Sequence, residues 1–581
     1  MTRTLILLLF TVLSGLVNAK MLVVNQLGYM AEGDKLAYWL KPTAIDATAS
    51  KYEKVALFSL DQQRDIAEFD VQLQAQLPDE RPVAVVDFSR VKNTGWFQLV
   101  VGDVRSTPFQ ISSHSYHDLA QRLIHALYLQ RSGESVTDPV TGMARPISHT
   151  KDGVIFRSDP FHKRGKALDM TGGWYDAGDF GKYVATTTIT AARLMEAFRQ
   201  SPEFFESQPS ELQNHGVNTN TSRADTAVEP RLPAILVETQ YGLNWLLKMQ
   251  RADGAVYRKL SGAHWPAKIP PWQDLQTRFI YGVSTPETAK FAATMAMASR
   301  IYEPYQPSQS RRYLQAAVHA WRYLELHPEQ YIDWQKGDDS GSGPYIKNKE
   351  DVEASLDTDI DDRLWALAEL YITTEQDKFL TEFEKLYDSQ WVDIFEWKNP
   401  AAMGVWHLLL TLENAHPLYP KLANDLKAKA DHYVEQANNS AFGIANQRFI
   451  WGSNKMTAEA GILVAWSDFI QGKKDHRAVV QSQIDYLLGA NAFNLSFVTG
   501  SGTYAVRNLH HLYRIATGVI LPGYLVGGPN EKAQAGVAPK NMGMLSYVDS
   551  EKSYAVNEFA IDYNASLIGL LAAHHAYFRQ Y

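Results

Sequence analysis

From Lys20 to about Ser112 the apolar residues come in short runs divided by Gly, Asp, Asn and Pro. The runs are Met21-Leu22-Val23-Val24-Asn25, Val55-Ala56-Leu57-Phe58, Val83-Ala84-Val85-Val86-Asp87-Phe88 and Gly95-Trp96-Phe97-Gln98-Leu99-Val100-Val101. Several such runs within about 90 residues predict an all-β sandwich. After Pro108-Phe109-Gln110-Ile111 the spacing changes. Apolar residues then recur at helical intervals in 116–131, 187–199, 235–249, 286–302, 310–327, 361–373, 405–413, 420–436, 458–470, 478–488 and 563–577. With no alternating βαβ units and no fixed-period repeat, this pattern predicts an all-α body closed into a toroid. The division is 1–19 as a leader, 20–112 as the sandwich and 113–581 as the helical body.

The leader is read from Arg3, the apolar run Leu5 to Leu13, and the small residues of Val17-Asn18-Ala19. It is a signal peptide cut after Ala19, too short to persist as a membrane span. No later stretch holds the roughly 18 apolar residues that a span needs. The absence of Cys excludes disulfides, a lipid-anchor cysteine and thiolate zinc sites. A periplasmic or secreted protein without a membrane anchor is expected, and a monomer. The net charge of −8 and pI near 6.1 argue against nucleic-acid or anionic-membrane partners. Aromatic residues make up 12% of the chain, with 14 Trp and 29 Tyr, a content suited to stacking on sugar faces as well as to packing.

Two clusters carry candidate chemistry. Gly172-Gly173-Trp174-Tyr175-Asp176-Ala177-Gly178-Asp179-Phe180-Gly181-Lys182-Tyr183 sets two carboxylates three residues apart on a glycine-rich turn among aromatics. Such a pair can share a bound water; the plainer reading is a pair of turn or cap aspartates. Hydrolysis of an acetal also needs a proton donor. In Tyr554-Ala555-Val556-Asn557-Glu558-Phe559-Ala560-Ile561-Asp562-Tyr563-Asn564-Ala565, apolar neighbours would keep Glu558 protonated, as a general acid requires. The plainer reading is a glutamate that favours a helix dipole. Asp357-Thr358-Asp359-Ile360-Asp361-Asp362 could hold a hard cation through oxygen ligands, or be a solvated helix start. His574-His575 read as a helix-surface pair, not metal ligands.

Together the two clusters resemble the signatures of glycoside hydrolase family 9. Further segments resemble the family in the same order. They are Val24-Asn25-Gln26-Leu27-Gly28-Tyr29, Tyr241 to Gln250, Asp362-Arg363-Leu364-Trp365-Ala366, Trp451-Gly452-Ser453-Asn454, Leu487 to Asn491 and Ser496 to Gly500. The resemblance runs from Lys20 to the C-terminus. It implies an immunoglobulin-like sandwich followed by an (α/α)6 barrel, and an inverting hydrolase of β-1,4-linked glucan or gluco-oligosaccharides, an endoglucanase or cellodextrinase. It implies Asp179 as the base that activates water, Asp176 as a holder of that water, and Glu558 as the acid. In an inverting enzyme the two carboxyl groups stand roughly 6.5–9.5 Å apart.

The resemblance implies no required cofactor, with calcium near Asp357 to Asp362 as in some members. The implied partner is a β-linked oligo- or polysaccharide, contacted by Trp451, His511, Arg514 and Asp549, the last in support. His510-His511-Leu512-Tyr513-Arg514 departs from the family's Pro-His-His-Arg, with Leu509 for Pro and two residues between His511 and Arg514. That departure motivates an alternative, an exo-acting β-glucosidase or exo-β-glucosaminidase on cello- or chitosan oligosaccharides. A third reading is a non-catalytic oligosaccharide-binding protein. No carbohydrate-binding module or dockerin is read after Ala565, which favours soluble chains as substrate.

Overall fold

The computed structural model describes residues 20–41, 54–113, 116–206, 231–335, 338 and 358–579. The expected leader, 1–19, and Asp357 lie outside the described residues. Ten strands open the chain: β1 (Met21–Val23), β2 (Tyr29–Met30), β3 (Leu36–Leu40), β4 (Lys54–Ser59), β5 (Arg64–Asp70), β6 (Gln72–Gln76), β7 (Pro82–Asp87), β8 (Gly95–Val101), β9 (Val104–Arg105) and β10 (Phe109–Ser112). They form a sheet in the order β1-β3-β7-β6 and a second in the order β2-β10-β8-β4-β5, with β9 on β8. Only β2 and β10 pair in parallel among these strands, with Ile111 opposite Tyr29.

Strand alternation explains how the sandwich is attached. In β3, Ala37 and Trp39 enter the core between the sheets, with Phe69, Phe88, Phe97 and Phe109. Tyr38 and Leu40, on the opposite face, join the core of the helical body, as do Val23 and Val83. The sheet is therefore buried on both faces, which is why Val83 to Val86 reads as a continuous apolar run.

Twelve helices of ten residues or more follow among the described residues. Val184–Gln200, Thr285–Tyr302, Ile360–Thr374, Ala401–Thr411, Ser453–Ile470 and Ile561–Arg579 are buried nearly all round and form an inner ring. His117–Leu129, Ala234–Lys248, Pro307–Leu326, Asp377–Leu386, Tyr419–Asn438 and Arg477–Leu487 alternate with them and are partly exposed. In Pro307–Leu326 the buried residues include Tyr313, Ala316, Ala317, Ala320, Trp321 and Leu324, the stripe of an outer helix. Inner neighbours pack in sequence order, Trp406 stacks on Trp466 with ring centroids 4.9 Å apart, and Ile561–Arg579 closes on Val184–Gln200. This is the (α/α)6 arrangement.

Each of the eleven periodic segments corresponds to a helix. The helix Asp377–Leu386 lay outside the expectation, because it buries only Phe379, Leu380 and Phe383. The all-α reading also passed over a small sheet of Val154–Ile155, Arg278–Ile280, Lys259–Gly262 and Lys182–Tyr183, whose strands are too short to show a period. His574 is corrected from surface to core: it sits on an inner helix, 1% exposed, with Nε2 2.7 Å from Gln481 Oε1.

A buried cluster ties four inner helices together. His407 places Nδ1 2.5 Å from Glu369 Oε1 and Nε2 2.9 Å from Glu196 Oε2. Arg199 and Trp406 Nε1 also bond Glu196, and Arg300 and Trp365 Nε1 bond Glu369. Burial opposes the charge on His407, but the two glutamates raise its pKa above the ordinary 6.5. The glutamates are held below their ordinary 4.5 by these cations against the opposing effect of burial. The imidazolium's contribution is complete below the unfolded pKa and is lost as pH rises through the raised folded one. The glutamates contribute above about 4.5 and lose that contribution as pH falls. His407→Leu is expected to cost about 3–5 kcal/mol, since it leaves two buried carboxylates short of a partner. Thermal unfolding should show the larger loss at about pH 5.5 and a smaller one at about pH 9, and equal losses would refute the charged clamp.

Candidate active site

The segment 172–183 is pinned from below. Lys182 Nζ donates to Met170 O at 2.9 Å and Gly172 O at 2.7 Å and pairs with Asp152 Oδ2 at 2.9 Å. Asp152 in turn accepts from Arg278 Nε at 2.7 Å. Trp174 Nε1 donates to Glu238 Oε1 at 2.7 Å, and Ser132 N to Gly173 O at 2.8 Å. Above this base the turn is closed by Asp176 N donating to Gly181 O at 2.9 Å and Gly181 N donating to Asp179 Oδ2 at 3.0 Å. Thr186, in the first turn of the helix that follows, donates its hydroxyl to Asp176 Oδ1.

Glu558 arrives from the other end of the chain. It has extended backbone between the short helical turn Tyr554–Asn557 and the inner helix Ile561–Arg579. Gly527 N donates to Glu558 O at 2.8 Å and His510 N to Asn557 O at 2.9 Å, so Glu558 is held as if in a sheet. Gly178 N donates to Glu558 Oε1 at 3.3 Å, and Ile561 N to Asp176 O at 2.8 Å. Asp176, Asp179 and Glu558 are thus brought together. Gly178 has no room for a side chain: a Cβ there would lie 2.5 Å from His510 O and 3.0 Å from Glu558 Oε1.

The carboxylates share a poorly solvated place. Burial raises Glu558 well above the usual carboxylate range, and the charges of Asp179 and Asp176 add to this. Burial also raises Asp176 well above its ordinary value, helped by the charge of Asp562 and then of Asp179. Asp179 is raised by burial but held back by the Gly181 N–H and by the charges of Arg278 and Lys259. One buried group that keeps its proton beside another that accepts hydrogen bonds as a carboxylate is what acid–base hydrolysis of an acetal requires.

The remaining expected residues are placed differently. Trp451 is partly buried, 5.7 Å from the Tyr554 ring, and donates a hydrogen bond to Tyr563. His510, half-buried, stands edge-on to Tyr554 and donates Nδ1–H to Glu551 O at 2.6 Å. His511 is turned into the interior, where Nδ1 accepts from Tyr513 N at 3.2 Å and Nε2 therefore donates to Gln130 Oε1 at 3.0 Å. Burial lowers its pKa to about 3, so it is neutral. Gln130 Nε2 passes the contact on to Ala177 O at 2.8 Å, within the aspartate turn. Arg514 is paired with Glu551 and donates to Asn508 Oδ1 at 3.1 Å. Asp549 accepts from Asn508 N and Asn557 Nδ2, each at 2.9 Å, and from Arg507 N at 3.1 Å, stapling two loops together beside Glu558.

In the acidic stretch, Asp359 pairs with Arg363 at 3.0 Å and Asp362 with Lys290. Among the described residues no group of three or more His, Asp or Glu is arranged to hold a metal. Residues passed over in the sequence are Gln130, Thr186, Lys455 and Asp562. The only signal for the last two is adjacency, Lys455 to the Trp451 segment and Asp562 to Glu558 in the same motif.

A helical toroid that sets a buried glutamate, its protonated form favoured by that burial, against a pair of aspartates defines a carbohydrate-cleaving enzyme of the acid–base type. The family profile described as Glycosyl hydrolase family 9 matches residues 116–571, and the Cellulase N-terminal ig-like domain matches 18–106. Endoglucanase D of Acetivibrio thermocellus is 30% identical over 503 residues, 84% of this chain and 74% of that protein. A cellodextrinase of Butyrivibrio fibrisolvens is 28% identical over 95% of this chain and 99% of its own length. The crystal structure of a metagenome-derived glycoside hydrolase family 9 endoglucanase superposes with a TM-score of 0.86 at 34% identity, covering 96% of this chain and 99% of that one. The chain belongs to glycosyl hydrolase family 9, and it is an inverting glycoside hydrolase.

Gly178→Ala tests the close approach. The added methyl displaces the His510 backbone and Glu558, and a misplacement near 1 Å is expected to lower kcat/KM about 100-fold. Thermal unfolding and turnover measured side by side check this, and wild-type turnover would disprove the crowding.

Proposed function

We propose that Asp179 is the general base, that Asp176 holds the attacking water with it, and that Glu558 protonates the leaving glycosidic oxygen. The enzyme hydrolyses β-1,4-linked glucan or gluco-oligosaccharides. The observation that carries the assignment is the junction of the two motifs: Gly178, between the aspartates, donates its N–H to Glu558 Oε1 at 3.3 Å. Burial and the two aspartate charges favour the protonated form of Glu558, and the Gly181 N–H favours the ionised form of Asp179. Water activated between the aspartates attacks the anomeric carbon while Glu558 gives its proton to the departing oxygen, and the configuration inverts.

Trp451, Tyr554 and His510 group their rings beside the strand-like segment of Glu558, and a sugar ring can stack there. Activity on soluble chains and oligosaccharides is the finer reading, supported by the likeness to a cellodextrinase over nearly the whole of both chains. The alternative of an exo-acting β-glucosidase or exo-β-glucosaminidase is not favoured, since the similar relatives include endoglucanases, a cellodextrinase and a cellulose 1,4-β-cellobiosidase, all named for glucan chains or their oligosaccharides. We also propose that the enzyme works outside the cytoplasm as a monomer, on the reading of residues 1–19 as a cleaved leader.

Glu558→Gln and Asp179→Asn are each expected to lose about 10²–10⁴-fold in kcat on cellotetraose. Glu558→Gln should lose far less on a dinitrophenyl cellobioside, whose leaving group needs no proton, whereas Asp179→Asn should lose as much on both. Unchanged turnover by Glu558→Gln on cellotetraose would refute the acid assignment. A panel of carboxymethylcellulose, cello-oligosaccharides and glucosamine dimers fixes the mode of action. Rapid viscosity loss on the polymer marks endo cleavage, and release of glucosamine alone would overturn the glucan reading.

A further inference from the structure

Behind the three carboxylates lies a second layer of charge that the reaction above does not use. Lys455, the third residue of the inner helix Ser453–Ile470, is buried with its Nζ 3.3 Å from Asp562 Oδ2 and 3.1 Å from Glu396 Oε2. Asp562 is in the first turn of the last inner helix, which begins three residues after Glu558. The residue before it, Ile561, donates its N–H to Asp176 O at 2.8 Å. The ammonium also stands 6.0 Å from the ring of Tyr563, whose hydroxyl accepts from Trp451. One cation thus serves two buried carboxylates, one of which adjoins the residue that bonds the Asp176 backbone.

We propose that Lys455 and Asp562 are positioning residues for hydrolysis: their buried ion pair sets how much negative charge the pair Asp176–Asp179 can carry, and so where the enzyme can activate water. The proposal rests on the assignment of Asp176, Asp179 and Glu558 given above.

The surrounding charges agree with this geometry. After burial itself, Asp562 is the charge that acts most strongly on Asp176, ahead of Asp179, and Lys455 pulls the other way. Lys455 keeps its proton despite burial because Asp562 and Glu396 face it. The other charged groups nearby are engaged elsewhere. Glu459, on the same helix as Lys455, pairs with Arg193. Lys398 and Arg448 act on Glu396. Arg278 and Lys259 act on Asp179 from the opposite side. Glu558 responds mainly to Asp179 and Asp176. Removing the cation should therefore make Asp176 titrate higher, and removing Asp562 should make it titrate lower.

The acid limb of kcat/KM against pH reports the groups that must be ionised in the free enzyme, here the pair Asp176–Asp179 that holds and activates water. Measured on cellotetraose, Lys455→Met is expected to move that limb up by about one pH unit or more, and Asp562→Asn to move it down by a similar amount. The double variant should return towards the wild-type limb, and Lys455→Arg should retain it. A packing defect would lower turnover in all of them and leave the limb in place; that outcome overturns the proposal, as does movement of both single variants in the same direction. Should Lys455→Met not fold, the direction of the limb in Asp562→Asn decides alone. If Asp179→Asn and Glu558→Gln are inactive while the limb never moves, the proposal falls and the catalytic assignment stands. If those two variants stay active, the assignment itself fails.

Discussion

The closure of the helical ring is the constraint on which the site depends. Asp176 and Glu558 are nearly four hundred residues apart, and no local propensity could hold one against the other. They meet because Ile561–Arg579 packs on Val184–Gln200, and because the N–H of Ile561, an unpaired donor at a helix start, finds the carbonyl of Asp176 at 2.8 Å. That bond fixes the height of the last helix against the first motif. Gly178 then lets the backbone of the turn come so close to 510–511 and Glu558 that any side chain would be in collision. Helix packing supplies the rough juxtaposition, and two peptide N–H groups with one missing Cβ refine it.

Crowding four acids, Asp176, Asp179, Glu558 and Asp562, into one buried region is costly unless each has a partner that prefers a particular protonation state. The structure divides these preferences. Glu558 receives a single peptide N–H and sits among apolar residues, so its neutral form wins. Asp179 receives the Gly181 N–H and faces Arg278 and Lys259 at longer range, which favours its charge. Asp562 is held directly by Lys455. The site is an ordered set of unequal carboxylates, and the coupled titration belongs to the group and not to any one member.

Much of this was legible in the sequence where the residue pattern and the chemistry coincide. The glycines of 172–183 point to a constrained turn because Gly178 and Gly181 lie against neighbours that leave no space for a methyl. The inner and outer helices were legible from apolar spacing wherever they bury a full stripe, and Asp377–Leu386 was not, because three buried residues make no stripe. His511 and Arg514 show what residue identity leaves open. A histidine next to a histidine carries no sign of which ring turns inward, and here the outcome is decided by Gln130, some 380 residues earlier, and by Glu551. Lys455 was invisible for the same reason: a lysine three residues into a helix is ordinarily solvated, and only the assembled ring places Asp562 and Glu396 around it.

The sandwich enters the same chain of support. Gln26 donates its backbone N–H to Leu488 O at 2.9 Å and accepts from Tyr504 N at 2.7 Å through its side chain. Tyr504 O accepts from Ser496 N at 2.7 Å, Val498 bridges to Leu525, and Val526 bridges to Phe559, the residue after the acid. Beside this path Asn25 Nδ2 donates to Asp485 Oδ1 at 2.8 Å, and Tyr38 and Leu40 fill the barrel core from the sheet side. A domain attached only by a linker would need none of this. A sheet with two apolar faces cannot be exposed without loss, so it must stay docked, and while docked it braces the segment against which Glu558 is held. The continuous apolar runs at the start of the chain thus have a consequence at its end.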